Sequence, residues 1–223
     1  MEGKLSKAEF KAIVFSDNSV VHARFAAEFG TEIDACIDQF TQTYGRFKDL
    51  EAKIQLNKRT ATVLLFLYAA IDNVVTSLHL LISGFLAQSG NLMRHFAEAA
   101  AMALLCSHPK IDTFDRFYEK PGKFPMHKVL DIVSRKKNVE LLDLNKQRWE
   151  QFKKKTGFYD KFSHSSALSA ASKLVFSIPG GVAMGGEFDS EKSNDYRKEI
   201  HLRENAMTLI LHMIEKIEQR LVL

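Results

Sequence analysis

Gly90-Asn91-Leu92-Met93-Arg94-His95-Phe96-Ala97-Glu98-Ala99-Ala100-Ala101-Met102-Ala103-Leu104-Leu105 decides how this chain is read. An apolar, alanine-rich run of this length, with no turn residue after Asn91, predicts a buried helix. Yet it carries an Arg, a His and a Glu. Arg94 and Glu98 are four apart and share one helical face, whereas His95 points about 100° away from Arg94. An unpaired ion is costly to desolvate, so charges in such a helix need partners. A second polar island, Tyr159-Asp160-Lys161-Phe162-Ser163-His164-Ser165-Ser166, offers them. The two islands are expected to meet in one site.

Working outward, the composition suits a helical protein with a large core. Of 223 residues, 46% are hydrophobic and seventeen are Phe, while only four are Pro and eleven Gly. That favours long uninterrupted helices around a sizeable core. Cys36 and Cys106 stand seventy residues apart with no CxxC, so neither a disulfide framework nor a thiol metal site is expected. Residues 1–9 carry no apolar signal core. The uncharged span 73–93 is too polar to cross a membrane. Together these predict a cytoplasmic protein without membrane association.

The spacing of apolar residues predicts short helices over 5–15 and 19–29, separated by Ser16-Asp17-Asn18, and a helix over 32–49 after Gly30. A long helix is expected over 50–86, on Val63, Leu64, Leu67, Ile71, Val74, Leu78 and Ile82. The Arg94 helix follows, capped by Ser89 or Asn91 and running to Ser107. Shorter helices are expected over 111–119, 125–137 and 139–155. A hairpin is expected from strands 173–177 and 182–188 about Pro179-Gly180-Gly181. A C-terminal helix over 191–221 presents Leu202, Ala206, Leu209, Ile210, Met213, Ile214, Ile217 and Leu221 as its apolar stripe. The fold class is therefore all-α, a bundle of six to eight helices with one small β-hairpin near 173–188. Residues 1–30 read as an N-terminal helical extension and 31–223 as a single bundle domain. The long apolar stripes of the 50–86 and 191–221 helices suggest a homodimer.

Four constellations bear on chemistry. The Arg94–Glu98 pair reads either as a structural pair holding helices in register or as an anion anchor with Glu98 orienting the guanidinium. His164, between Ser163 and Ser165, reads either as a structural hydrogen-bond hub or as a general base. No GxSxG elbow surrounds these serines, which argues against a hydrolase triad. Asp72 and His79 share a face of the long helix, but no Glu-x-x-His accompanies them, so no metal site is expected. Cys106 beside His108 reads as a structural cysteine. No cofactor motif is present.

The charge is uneven. From Arg116 to Lys161 there are thirteen basic and six acidic residues, a net of +7 in a chain whose total is +4. Arg135-Lys136-Lys137 and Lys153-Lys154-Lys155 are its dense points. They form either a solvated helix face or a surface for RNA or DNA.

The order of features resembles a group of uncharacterised bacterial helical proteins. Their long apolar helix is followed by a Gly, an Arg-x-x-x-Glu helix, a Tyr-x-x-x-Ser-His segment, a small loop and a final helix. Here those positions are Gly90, Arg94, Glu98, Tyr159, Ser163 and His164, and the resemblance spans roughly 35–220. That group is distantly similar to the HEPN superfamily of phage-defence and toxin–antitoxin proteins, several of which cut RNA. The resemblance implies a binding protein of a stress or defence setting, with a polar site formed by Arg94, Glu98, Tyr159, Ser163 and His164. The alternatives are metal-independent RNA cleavage with His164 as base and Arg94 stabilising the phosphorane, and a structural oligomerising scaffold. HEPN ribonucleases carry an Arg and a His with four to six residues between them. Here Arg197 and His201 have three residues between them.

Overall fold

Two helices joined by a three-residue turn make the centre of the molecule. In this computed structural model, which describes residues 6–15, 17–119, 122–163, 170–177, 181–182 and 184–221, α3 (Lys58–Ile82) and α4 (Leu86–Ser107) run back to back. The alanines of α4 explain their close approach: Ala97, Ala100, Ala101 and Ala103 are fully buried and keep the helix surface low. Against this pair lie α2 (Ser19–Lys53) and α10 (Ser193–Leu221), which pack along each other. The other side of α4 is covered by α5 (Thr113–Glu119), α6 (Val129–Val133), α8 (Lys146–Gly157) and α9 (Asp160–Ser163). A peripheral α1 (Lys7–Val14) and a short α7 (Lys136–Leu141) are further helices of the bundle. The chain is thus an all-helical bundle with one small antiparallel hairpin, β1 (Leu174–Val175) with β2 (Gly181–Val182), Leu174 opposite Val182.

Several boundaries differ from the sequence reading. The helix expected over 50–86 is two elements, because Asn57 builds a capping box: its side chain accepts from the Arg59 and Thr60 amides while Thr60 Oγ1 accepts from the Asn57 amide at 2.8 Å. Helices 19–29 and 32–49 are one element, kinked at Phe29 (φ −127°, ψ 19°) and extended to Lys53. Helix α4 begins at Leu86, so neither Ser89 nor Asn91 caps it. The expected helix over 139–155 breaks at Asp143, whose φ of 49° is left-handed, and restarts on the Asn145 cap. The expected helix over 125–137 shortens to a 3₁₀ turn at Met126–Lys128 followed by α6.

Two apolar clusters share the interior. The larger joins α3, α4, α6 and α10. The smaller is aromatic: Phe25 and Phe29 of α2 meet Phe188 and Tyr196, with Leu78 and Leu81 beneath. Phe25 and Phe29, from the stretch read as an extension, are both fully buried. By composition α3 is apolar enough to cross a membrane, with a mean hydropathy of 1.7 over its most apolar window, and half of that window is buried within the bundle. Cys36 and Cys106 are both free and buried, and burial pushes each thiol up to about 12.

Candidate functional site

Gly90, Arg94 and Glu98 follow one another at four-residue steps on the face of α4 turned toward α9. A Cβ at Gly90 would sit 2.8 Å from the Phe162 ring, so only glycine leaves room for α9 to lie this close. One turn on, Arg94 Nε lies 3.3 Å from Glu98 and 3.2 Å from Asp160. The two sequence islands therefore touch, through Asp160. His95 is half exposed and stands 3.8 Å from Glu98. Two carboxylates around one guanidinium leave a local net negative charge, which suits a structural clamp better than an anion anchor.

Tyr159 turns the other way, into a second network that the sequence reading missed. Arg203 of α10 is fully buried. Its Nη1 donates to the Glu199 carboxylate at 2.8 Å, its Nε to Ser77 Oγ at 3.0 Å, and its Nη2 to Ser89 Oγ. The two serines cross-link α3 and α4, each hydroxyl donating to the other's carbonyl at 2.7–2.8 Å. The Tyr159 hydroxyl donates to the same Glu199 oxygen at 2.9 Å. Burial and the neighbouring Glu199 charge push the Tyr159 phenol well above its usual value, so it stays protonated. One signal was available: Arg203 lies in register with Ile200, Ala206, Met207 and Ile210, inside the buried stripe itself.

That register also redraws the apolar face of α10. Leu202 and Leu209, counted in the stripe, are only partly covered. They border a groove between α8–α9 and α10, floored by Met93, Phe96 and Leu104 of α4. Three adjoining cavities follow it: about 670 Å³ beside Phe158 and Phe162, about 380 Å³ beside Phe152 and Tyr159, and about 340 Å³ beside Trp149 and Met213. The Tyr159–Glu199 hydrogen bond ties the two walls together.

The remaining site residues disperse. His164 lies outside the described residues, as does the side chain of Ser163. Arg135, Lys136 and Lys137 are exposed around the start of α7, with Lys136 4.0 Å from Glu140. The three lysines of α8 diverge. Lys153 bonds Asp131 of α6 at 2.5 Å, Lys154 is exposed, and Lys155 lines the groove. Arg197 and His201 are engaged separately, with Glu32 at 3.0 Å and Glu204 at 3.3 Å. Among the described residues no group of three His, Cys, Asp or Glu side chains is placed to hold a metal. No family model, no curated protein and no solved structure matches the chain.

Proposed function

We propose that the chain is a non-enzymatic binding protein whose ligand lies in the groove between α8–α9 and α10. One observation carries this: Leu202 and Leu209 continue the apolar face of α10 past the area the bundle covers, and the uncovered part is a walled groove rather than a flat surface. The polar residues nearby support the same reading. Arg203, Glu199 and Tyr159 are spent on one another, and Arg94 is held by two carboxylates. The stress or phage-defence setting rests on the HEPN resemblance alone. The RNA-cleavage alternative, with His164 as base and Arg94 at the phosphorane, rests on the same resemblance; His164 lies outside the described residues, and Arg94 is engaged with Glu98 and Asp160.

The groove reading is tested with an apolar fluorescent dye, anilinonaphthalene sulfonate, at neutral pH. The folded protein should enhance its emission, and the Leu202→Asn, Leu209→Asn double variant should lose most of that enhancement at nearly unchanged melting temperature. Equal enhancement by both proteins, or none by the parent, would remove the reading.

We also propose a twofold dimer, formed through the outer face of α3. Leu65, Tyr68 and Val75 are 64%, 48% and 40% exposed there, and Ile37 and Tyr44 of α2 are exposed as well. The Tyr44 and Tyr68 rings both lie tilted against Phe47, with centroids 6.1 Å away, which brings the two helices into one surface. A second copy is the occupant that covers such a face in a closed assembly.

A further inference from the structure

We propose that the groove receives an amphipathic helix from a partner protein, one that carries acidic residues seven apart along one edge of its apolar face. This rests on reading the groove as the binding element, and it adds the chemistry of the occupant.

The charge distribution points to an acid. The central cavity has Arg148, Lys155 and His212 on its lining and no carboxylate. Among the described residues Arg148 and Lys155 have no ion-pair partner, although both side chains are exposed beside an apolar floor. Cations at either end of the groove are already matched: Lys198 bonds Asp195 at 2.9 Å, and Lys216 bonds Asp143. The unmatched positive charge is thus concentrated midway, where a ligand's acids would meet it.

The dimensions point to a helix. The lining runs along α10 from Asp195 to Lys216, roughly 30 Å at 1.5 Å per residue. That is the length of a helix of about 20 residues and exceeds what a single small amphiphile fills. Arg148 and Lys155 are two turns apart on one face of α8, about 10 Å, which a partner's residues i and i+7 reproduce. Leu202 and Leu209 repeat the same interval on the opposite wall, so apolar anchors and charges share one period. This is helix-in-groove recognition with a charged rim on one side.

Three labelled 20-residue peptides test it, alike in a leucine-rich face and differing at two flanking positions seven apart: Glu, Gln or Lys. Fluorescence anisotropy at low salt should rank them Glu, Gln, Lys, with the Glu peptide about tenfold tighter than the Lys peptide. The Arg148→Ser, Lys155→Ser double variant should bind all three alike, with unchanged circular dichroism. Equal binding of the three peptides by the parent protein would overturn the acidic partner and leave the groove reading standing. If no peptide binds and the dye does not bind either, the groove reading itself fails. Saturation of the groove by dodecanoate, with no peptide binding, would assign it to a small amphiphile and overturn the helix. Self-association abolished by Leu202→Asp would assign it to a second copy, with the same consequence.

Discussion

Glu199 and Arg203 stand one turn apart on α10, joined at 2.8 Å in the interior, and everything around them is arranged to satisfy that pair. Ser77 and Ser89 take two of the guanidinium's donors and Tyr159 supplies the carboxylate with a third-element hydrogen bond. Three helices and the turn between α8 and α9 thus meet on one buried ion pair. A buried ion pair need not add net stability over an apolar replacement, but it fixes which surfaces meet, because removing one partner strands the other.

The Arg203→Met variant should therefore lose about 3–5 kcal/mol in urea unfolding, since it leaves Glu199 with Tyr159 alone. Adding Glu199→Gln should cost less than the sum of the two single changes, because the stranded charge is gone. Arg94→Ala should cost less than Arg203→Met, about 1–3 kcal/mol, as its side chain is 21% exposed and water screens the pair. An Arg203→Met loss below about 1 kcal/mol would show that the network is not closed.

The contrast between those two arginines shows what the sequence could and could not convey. Arg94 was legible because it interrupts a run of alanines, where any charge stands out. Arg203 lies in a helix rich in Arg, Lys and Glu, so only its register with Ile200, Met207 and Ile210 sets it apart. The start of α3 was hidden because Ile54 and Leu56 prolong the apolar spacing through the Asn57 cap. The groove was hidden for a related reason: Leu202 and Leu209 keep the same interval as the buried residues, and periodicity does not say whether a neighbour arrives to cover them.

Glycine positions give a paired prediction. At Gly90 a Cβ would press into the Phe162 ring at 2.8 Å, whereas at Gly45, in the exposed middle of α2, it would meet nothing within 4 Å. Gly90→Ala should destabilise by about 1–3 kcal/mol through overpacking and should raise hydrogen exchange across 158–163. Gly45→Ala should stabilise by about 0.5–1 kcal/mol, since Ala loses less backbone freedom in a helix. Thermal melts of the two variants shifting the same way would contradict the close approach of α9.

Asp189 sets the acid limit of the hairpin region. Burial alone would raise its carboxyl, but the amides of Phe176 (2.6 Å) and Glu191 (3.2 Å) and the Lys192 charge outweigh that, and it is held below its ordinary 3.8. A carboxyl depressed in the folded state binds fewer protons there than in the unfolded chain. Its stabilisation is present above about pH 4 and is lost as pH falls through the lower folded value. Amide exchange at Phe176 and Glu191 should accordingly stay protected from pH 7 to 5 and lose protection below about pH 4. Asp189→Asn should be less protected at pH 7 and should lack the acid-dependent loss. An identical acid profile in that variant would assign the loss to another group.

The twofold dimer has a direct reading in mass. Its proposed surface has a single formal charge on α3, Asp72, set between Tyr68 and Val75, so pairing would desolvate few ions. Light scattering at micromolar concentration should give twice the 25.3 kDa of one chain. Tyr68→Arg places a cation at the middle of the stripe, where a copy of itself would face it across the axis. That variant should scatter as a monomer with little change in melting temperature, because Tyr68 is half exposed within one subunit. A parent protein that scatters as one chain up to about 100 μM would remove the dimer, and α3 would then stand as a helix with an uncovered apolar stripe.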